Sequence, residues 1–327
     1  MPIKCGRVML SAIALFAASI IAIGSATAQD YPTKPIRIVI PFAAGGGNDL
    51  FARAIGPKFS ELIGQPNVIE NKPGAGGRIA AAFVMEQPAD GYTLFIGPSG
   101  VMAVSPAAYP NLPYHPTKDF IPLTMIANFP LIMVGQTTIA AKTVPELVAY
   151  AKANPDKSNY GTTSPAFTIA TELLKLKTGM PGQMIPYKSS NEMVLSVIQE
   201  QSLFVLSDGP PAISQIKGGK VKALAVTGNK RIPDLPDVPS MTEAGYPDVN
   251  TYLWSGFFVS AKTPPAIVAK IEASLRKAIT DPDVSAKLRA LAVSPNGGPG
   301  AEFGKVIEAD IETYKQVIKA ANLKFEN

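Results

Sequence analysis

The 327 residues include one cysteine and one histidine, 46% are hydrophobic, and the formal net charge is +5. One thiol and one imidazole exclude a disulfide framework and the usual Cys- or His-based metal sites. The positive excess is small for the length, and no Lys/Arg run is interleaved with aromatics, which excludes a nucleic-acid-binding stripe.

Lys4 and Arg7 precede an uncharged apolar run over 8–23, and Ala26-Thr27-Ala28 follows as a small-x-small processing site. This is the three-part pattern of a secretory signal. The apolar run is short for a membrane span of about 20 residues. The predicted signal is 1–28, which starts the exported chain at Gln29. Cys5 lies ahead of the apolar run, so it leaves with the signal and does not mark a lipidation site.

After Gln29, short apolar runs alternate with longer amphipathic ones. Segments 36–40, 93–97, 203–206, 223–226 and 256–259 are short, continuous in apolar character and bounded by Gly, Pro or Asp, as buried strands are. A helix is expected from Asn48, with Leu50, Phe51, Ala54, Phe59, Leu62 and Ile63 toward one side and a kink or a break at Gly56-Pro57. Capping boxes begin at Thr143, Ser189 and Ser240, each with Glu three residues on. Thr263-Pro264 and Asp281-Pro282 read as cap-plus-proline starts. Strand-helix alternation predicts α/β layers with mostly parallel sheets. The chain is long enough for two packed lobes. The irregular stretch 120–130 and the segment 245–254 are the expected crossings, placing residues 29–128 plus 250–327 in lobe one and 129–249 in lobe two.

Two loops carry most of the chemical information. Pro41-Phe42-Ala43-Ala44-Gly45-Gly46-Gly47-Asn48-Asp49 follows a buried strand and opens a helix, with Asn48 the natural N-cap. Asn71-Lys72-Pro73-Gly74-Ala75-Gly76-Gly77 repeats the device. Glycines allow close approach, and backbone N–H groups at a helix start favour an anion. Neither loop has a nucleotide fingerprint. Asp49 and Arg53 are spaced as a helical ion pair, and Arg78 is expected to face solvent.

Catalysis finds little support. The lone histidine, His115, sits between Tyr114 and Pro116. There is no G-x-S-x-G elbow, no histidine-bearing metal motif and no carboxylate pair that stands out.

The chain resembles the Bug (TctC-like) solute receptors, the binding components of tripartite tricarboxylate transporters. Lys34-Pro35-Ile36, Pro41-Phe42 with Gly45-Gly46-Gly47 and Asp49, and Pro73-Gly74-Ala75-Gly76-Gly77 carry the resemblance first. It continues through Asp90-Gly91-Tyr92-Thr93-Leu94, Lys118-Asp119-Phe120, Pro186-Tyr187-Lys188, Lys222-Ala223-Leu224-Ala225-Val226-Thr227 and Leu235-Pro236-Asp237-Val238-Pro239. The resemblance implies a type II periplasmic-binding-protein (Venus-flytrap) fold that holds a ligand carboxylate by the two loops. In this chain that points to Phe42, Ala43, Ala44, Gly45, Asn48, Gly74, Ala75 and Gly76, with Ser99 on a third loop and Asp208 at the far end of the ligand. Lobe two is expected to select the rest of the ligand through Thr162, Thr163, Ser164 and Asp208. One stretch departs from the family. Residues 162–168 lack its usual glycines and histidine, and Phe167 there is either a pocket wall or a core residue.

The expectation is therefore a monomeric periplasmic receptor, without cofactor, metal or nucleic acid, that passes a small organic acid to membrane subunits of a tripartite tricarboxylate transporter. A ligand sensor of the same fold that feeds a signalling partner is the alternative.

Overall fold

The computed structural model describes residues 31–320 together with Leu323 and Phe325. The signal reading for 1–28 lies outside the described residues. Among them, no helix is long and apolar enough to cross a membrane.

The first lobe starts with β1 (Ile36–Ile40), α1 (Gly47–Ile63), β2 (Asn67–Asn71), α2 (Arg78–Met85), β3 (Thr93–Pro98), α3 (Ser105–Ala108) and β4 (Phe120–Pro130). The chain then builds a second sheet layer through β5 (Ile132–Gly135), α4 (Val144–Ala153), β6 (Tyr160–Thr162), α5 (Pro165–Thr178), β7 (Met184–Pro186), α6 (Ser190–Ile198), β8 (Phe204–Ser207), α7 (Gly209–Lys217) and β9 (Lys222–Val226). It returns with β10 (Tyr252–Ser260), α8 (Pro265–Thr280), α9 (Pro282–Arg289), β11 (Ser294–Pro295) and α10 (Gly300–Ala320).

The result is a two-lobe α/β flytrap. Strand order is β11-β4-β10-β3-β1-β2 in the six-stranded sheet and β7-β6-β8-β5-β9 in the five-stranded one. Both sheets are mixed. Strands joined by helical crossovers pair in parallel, β1 with β2 and β3, and β6 with β7 and β8. The strands beside the points where the chain changes sheets run antiparallel: β10 against β3 and β4, and β5 against β8 and β9. A strand entering from the other sheet has no crossover helix to turn it around, so it pairs in the opposite sense.

Residues 120–130, read from sequence as irregular, form the eleven-residue strand β4. Pro122 and Pro130 disguise it locally, but β4 pairs with β10 along its length, through two register shifts. The chain leaves the first sheet at Leu131 and comes back just before Tyr252. Thr227 ties these points together. Its hydroxyl accepts from the Leu131 N–H at 2.7 Å and donates to the Thr251 carbonyl at 2.6 Å. One buried side chain thus laces both crossings, where a hinge would bend.

Helix α1 buries Phe51, Ile55, Phe59 and Ile63, a strict i, i+4 stripe, whereas Leu62 is exposed. The helix does not break at Gly56-Pro57, and α1 runs on through Pro57. Pro57 sits on the exposed side, where water can take the carbonyl its ring leaves unbonded. Asn67 reinforces the turn by donating to the Gly56 carbonyl and the Ser60 hydroxyl, both at 2.6 Å. Of the predicted caps, Thr143, Ser189 and Asp281 accept first-turn N–H groups as expected. Ser240 and Glu243 complete their reciprocal bonds around a turn that does not continue into a helix. Thr263 caps nothing. Its buried hydroxyl has no hydrogen-bond partner, and α8 begins after Pro264.

Candidate ligand cleft

Strand β1 ends fully buried at Ile40, and the glycine loop that follows turns directly into α1. The helix begins at Gly47 with Gly46 as its N-cap residue, so Asn48 is not the cap expected from sequence. Asn48 is drawn inward instead, accepting from the Ser255 hydroxyl of β10 at 2.6 Å. Asp49 holds the loop in shape. It accepts from the Gly45 N–H at 3.1 Å and receives a two-pronged contact from Arg53 at 2.9 and 3.0 Å. Burial pushes the Asp49 carboxyl up, but Arg53 and the Gly45 N–H outweigh it and leave the group below the usual aspartate value.

The second lobe presses onto this loop. The Ala43 N–H donates to the Lys188 carbonyl at 3.1 Å. A Cβ on Gly46 would stand 3.4 Å from the Ser190 hydroxyl, and one on Gly47 would collide with the Asp208 carboxylate. On the neighbouring loops a Cβ on Gly76 would meet Pro165 at 3.2 Å, and one on Gly100 would meet the Ser164 hydroxyl at 2.7 Å. Bare backbone from lobe one thus meets side chains from lobe two at these four glycines, on three loops.

Asp208 is the centre of the arrangement. It closes β8, starts α7, and is 4% exposed. Burial raises its carboxyl above the ordinary aspartate value, while Ser190, Ser207 and the backbone N–H of Gly47 pull it down and do not win. These groups are neutral, and no cation is among them. A carboxylate of lobe two therefore sits on the positive end of a lobe-one helix. Around it Phe42, Gly46, Gly47, Asn48, Thr163, Phe167, Ser190 and Asp208 enclose an inner chamber of about 20 Å³, roughly the space of one water.

A second, outer chamber of about 810 Å³ lies beyond Ser164. Ala75, Gly76, Thr162, Thr163 and Ser164 all line it. Ala75 adopts a left-handed φ of 46°, a conformation that costs a non-glycine residue energy and suits a constrained ligand loop.

The predicted site residues thus divide. Phe42, Asn48, Thr163 and Asp208 meet in the inner chamber, and Ala75, Gly76, Thr162 and Ser164 line the outer one. Ala43, Ala44, Gly45 and Gly74 shape the loops without lining either chamber. Ser99 is fully buried beneath them, accepting from the Trp254 N–H at 3.5 Å. Sequence reasoning missed Gly47 and Ser190, although Gly47 belongs to the glycine run and Ser190 directly follows a capping serine. Phe167 lines the inner chamber and is also part of the buried core, 8% exposed. His115 organises a surface turn, its Nδ1 accepting from the N–H groups of Thr117 and Lys118 at 3.3 and 3.2 Å. No cluster of metal-ligating side chains occurs among the described residues.

The family model of the tripartite tricarboxylate transporter family receptor matches residues 51–323. The chain belongs to this receptor family. Its structural likeness is equally broad. The periplasmic binding protein BugD is 28% identical, with a TM-score of 0.87 over 90% of this chain and 100% of that one. A protein from R. palustris solved with adipate is 32% identical, with a TM-score of 0.86 over 90% and 99% of the two chains. MatC from Rhodopseudomonas palustris, solved with bound malate, is 28% identical, with a TM-score of 0.84 over 88% and 100%. The family is one of solute-binding receptors, not enzymes, which agrees with the lack of a catalytic motif in the sequence.

Proposed function

We propose that this receptor works in the periplasm, capturing a small organic acid in the inner chamber and handing it to the membrane subunits of a tripartite tricarboxylate transporter. The observation that carries the reading is the buried Asp208 carboxylate lying against Gly47 at the start of α1. The start of α1 accommodates a carboxylate at short range without any cation, and a solute carboxylate presents the same group. Similar proteins hold adipate and malate, both carboxylates. An inner chamber of about 20 Å³ is too small for any such acid, so the lobes part to admit it and close again with solute in place of Asp208 at the helix end. Two carboxylates at one N–H would repel, so Asp208 then accepts from a hydroxyl or amino group of the solute, or through water.

Thermal unfolding against a panel of small mono-, di- and tricarboxylates and acidic amino acids tests this, after unfolding and refolding to strip carried-over solute. A solute at about 100 times its Kd adds about 2.7 kcal/mol to stability. A flat panel on verified, refolded protein overturns the reading.

Asp208→Asn gives a separate expected outcome. The folded form binds the Asp208 proton more readily than the unfolded chain, because the folded value is raised. Its protonated form therefore contributes stability that is greatest at low pH and is lost as pH rises from the ordinary aspartate range through the raised value. Asparagine keeps an acceptor for Gly47 without a buried charge. At neutral pH the variant should be more stable by on the order of 1 kcal/mol. The advantage should shrink as the pH is lowered, read from unfolding midpoints between about pH 4 and pH 8.

A further inference from the structure

The outer chamber differs in kind from the inner one. It stands open at about 810 Å³, within the roughly 300–1,000 Å³ usual for small-molecule pockets. Its walls come from both lobes, Arg78 and Tyr109 from the first and Tyr160, Pro165 and Met184 from the second.

Most polar groups on these walls already have partners. The hydroxyls of Thr162 and Thr168 lie 3.0 Å apart, and each also reaches the Ser164 carbonyl at 3.2 Å. The Tyr160 hydroxyl donates to Glu172, and the same Glu172 oxygen accepts from Lys175 at 2.9 Å. Arg78 is the exception. Its Nε donates to the Ala75 carbonyl at 3.1 Å, and its guanidinium carbon stands 4.0 Å from the Tyr109 ring centroid. No ion pair engages it among the described residues. The stack and the Nε bond fix the plane of the fork and leave its terminal N–H donors to a ligand. The facing wall sets Pro165, Met184 and Pro186 beside Thr162, Thr168 and Glu172, whose polar atoms are already paired. Met184 is 49% exposed, and Phe325 meets Tyr109 edge-on at 5.9 Å.

We propose that the outer chamber is a second binding site, for an organic anion with a bulky apolar body such as an aryl or medium-chain carboxylate. The carboxylate takes the Arg78 fork in a two-pronged contact. The apolar body lies between Tyr109, Pro165 and Met184. Such a ligand touches both lobes while Asp208 stays on Gly47, so it stabilises the closed form without entering the inner chamber. The site stands apart from the proposed capture of a small acid, and its test does not depend on that reading.

The probe is 4-phenylbutyrate, titrated calorimetrically into wild type, Arg78→Gln and Met184→Glu, with unfolding midpoints recorded for each. Wild type should bind it. Arg78→Gln should weaken binding at least tenfold, the effect of losing a charged hydrogen-bond partner. Met184→Glu, a change at a half-exposed position that places an anion on the facing wall, should weaken it by a similar factor. Absence of binding to wild type at millimolar probe overturns the proposal. So does unchanged affinity in either Arg78→Gln or Met184→Glu. A small-acid panel without hits, alongside Arg78-dependent phenylbutyrate binding, would remove the capture reading and leave this site standing.

Discussion

Gly47→Ala is expected to leave the protein folded and to weaken solute binding about 100-fold. Gly47 begins α1 with an ordinary backbone, since it is not among the glycines of positive φ, so alanine meets no local strain. In the first lobe alone the added methyl is benign. Its obstacle is Asp208, whose carboxylate occupies the space that a Cβ at position 47 would fill. The substitution therefore acts as a wedge between the lobes. A receptor that cannot close keeps the contacts of lobe one and loses those of lobe two. Two or three hydrogen bonds at about 1 kcal/mol each correspond to roughly 100-fold in affinity. Calorimetric titration of a panel solute gives the affinity, and small-angle scattering gives the closure. The double variant Gly47→Ala/Asp208→Ala should regain the closed scattering profile, because the colliding group is gone. An open profile in the double variant would show that the obstruction lies elsewhere.

Phe258→Ala should be the most damaging single change to stability, at about 3–5 kcal/mol. Phe258 is fully buried on β10, with ring centroids of Phe303, Phe120 and Phe95 at 5.3, 6.4 and 6.5 Å. Phe303 belongs to α10 and also meets Trp254 edge-on at 4.9 Å. The cluster therefore fastens the C-terminal helix to the sheet that carries the glycine loops. Removing its central ring leaves a cavity whose rigid neighbours cannot all move inward. Chemical denaturation should show a lower midpoint. Because the lone tryptophan lies in the same cluster, its fluorescence should report the loosening directly.

The sequence displays what is local. Strands β1 and β3 show as buried runs, and Thr143, Ser189 and Asp281 cap helices because capping needs only residues a turn apart. The anion-directed character of the first loop is legible for the same reason, since glycines at a strand end and a helix start suffice. What escapes depends on partners far along the chain. Strand β4 is disguised by Pro122 and Pro130, and only its pairing with β10, more than a hundred residues later, makes it a strand. Asn48 has the chemistry of a cap, yet Ser255 offers it a buried hydroxyl and the helix starts a residue earlier. Thr263 fails as a cap because α8 takes Pro264 at that position. Arg78 reads as a surface cation until Tyr109 and the second lobe form a chamber around it. Gly47 looks like one more flexible residue in a run of three. Its importance comes from Asp208, about 160 positions away, and no local pattern announces a contact at that separation.

The narrow inner chamber also fixes the order of events in time. With about 20 Å³ beside Asp208, the inner chamber of the closed form has no room for an acid arriving from outside. Entry must wait for the lobes to part, an event that belongs to the unliganded protein and occurs at its own frequency. In a rapid-mixing experiment the observed association rate should therefore rise with solute concentration and then level off. The plateau is the opening rate, the same for every acid the chamber accepts, while the slope before it differs from acid to acid. Uptake at high solute concentration would then be paced by the receptor's own opening rather than by encounter.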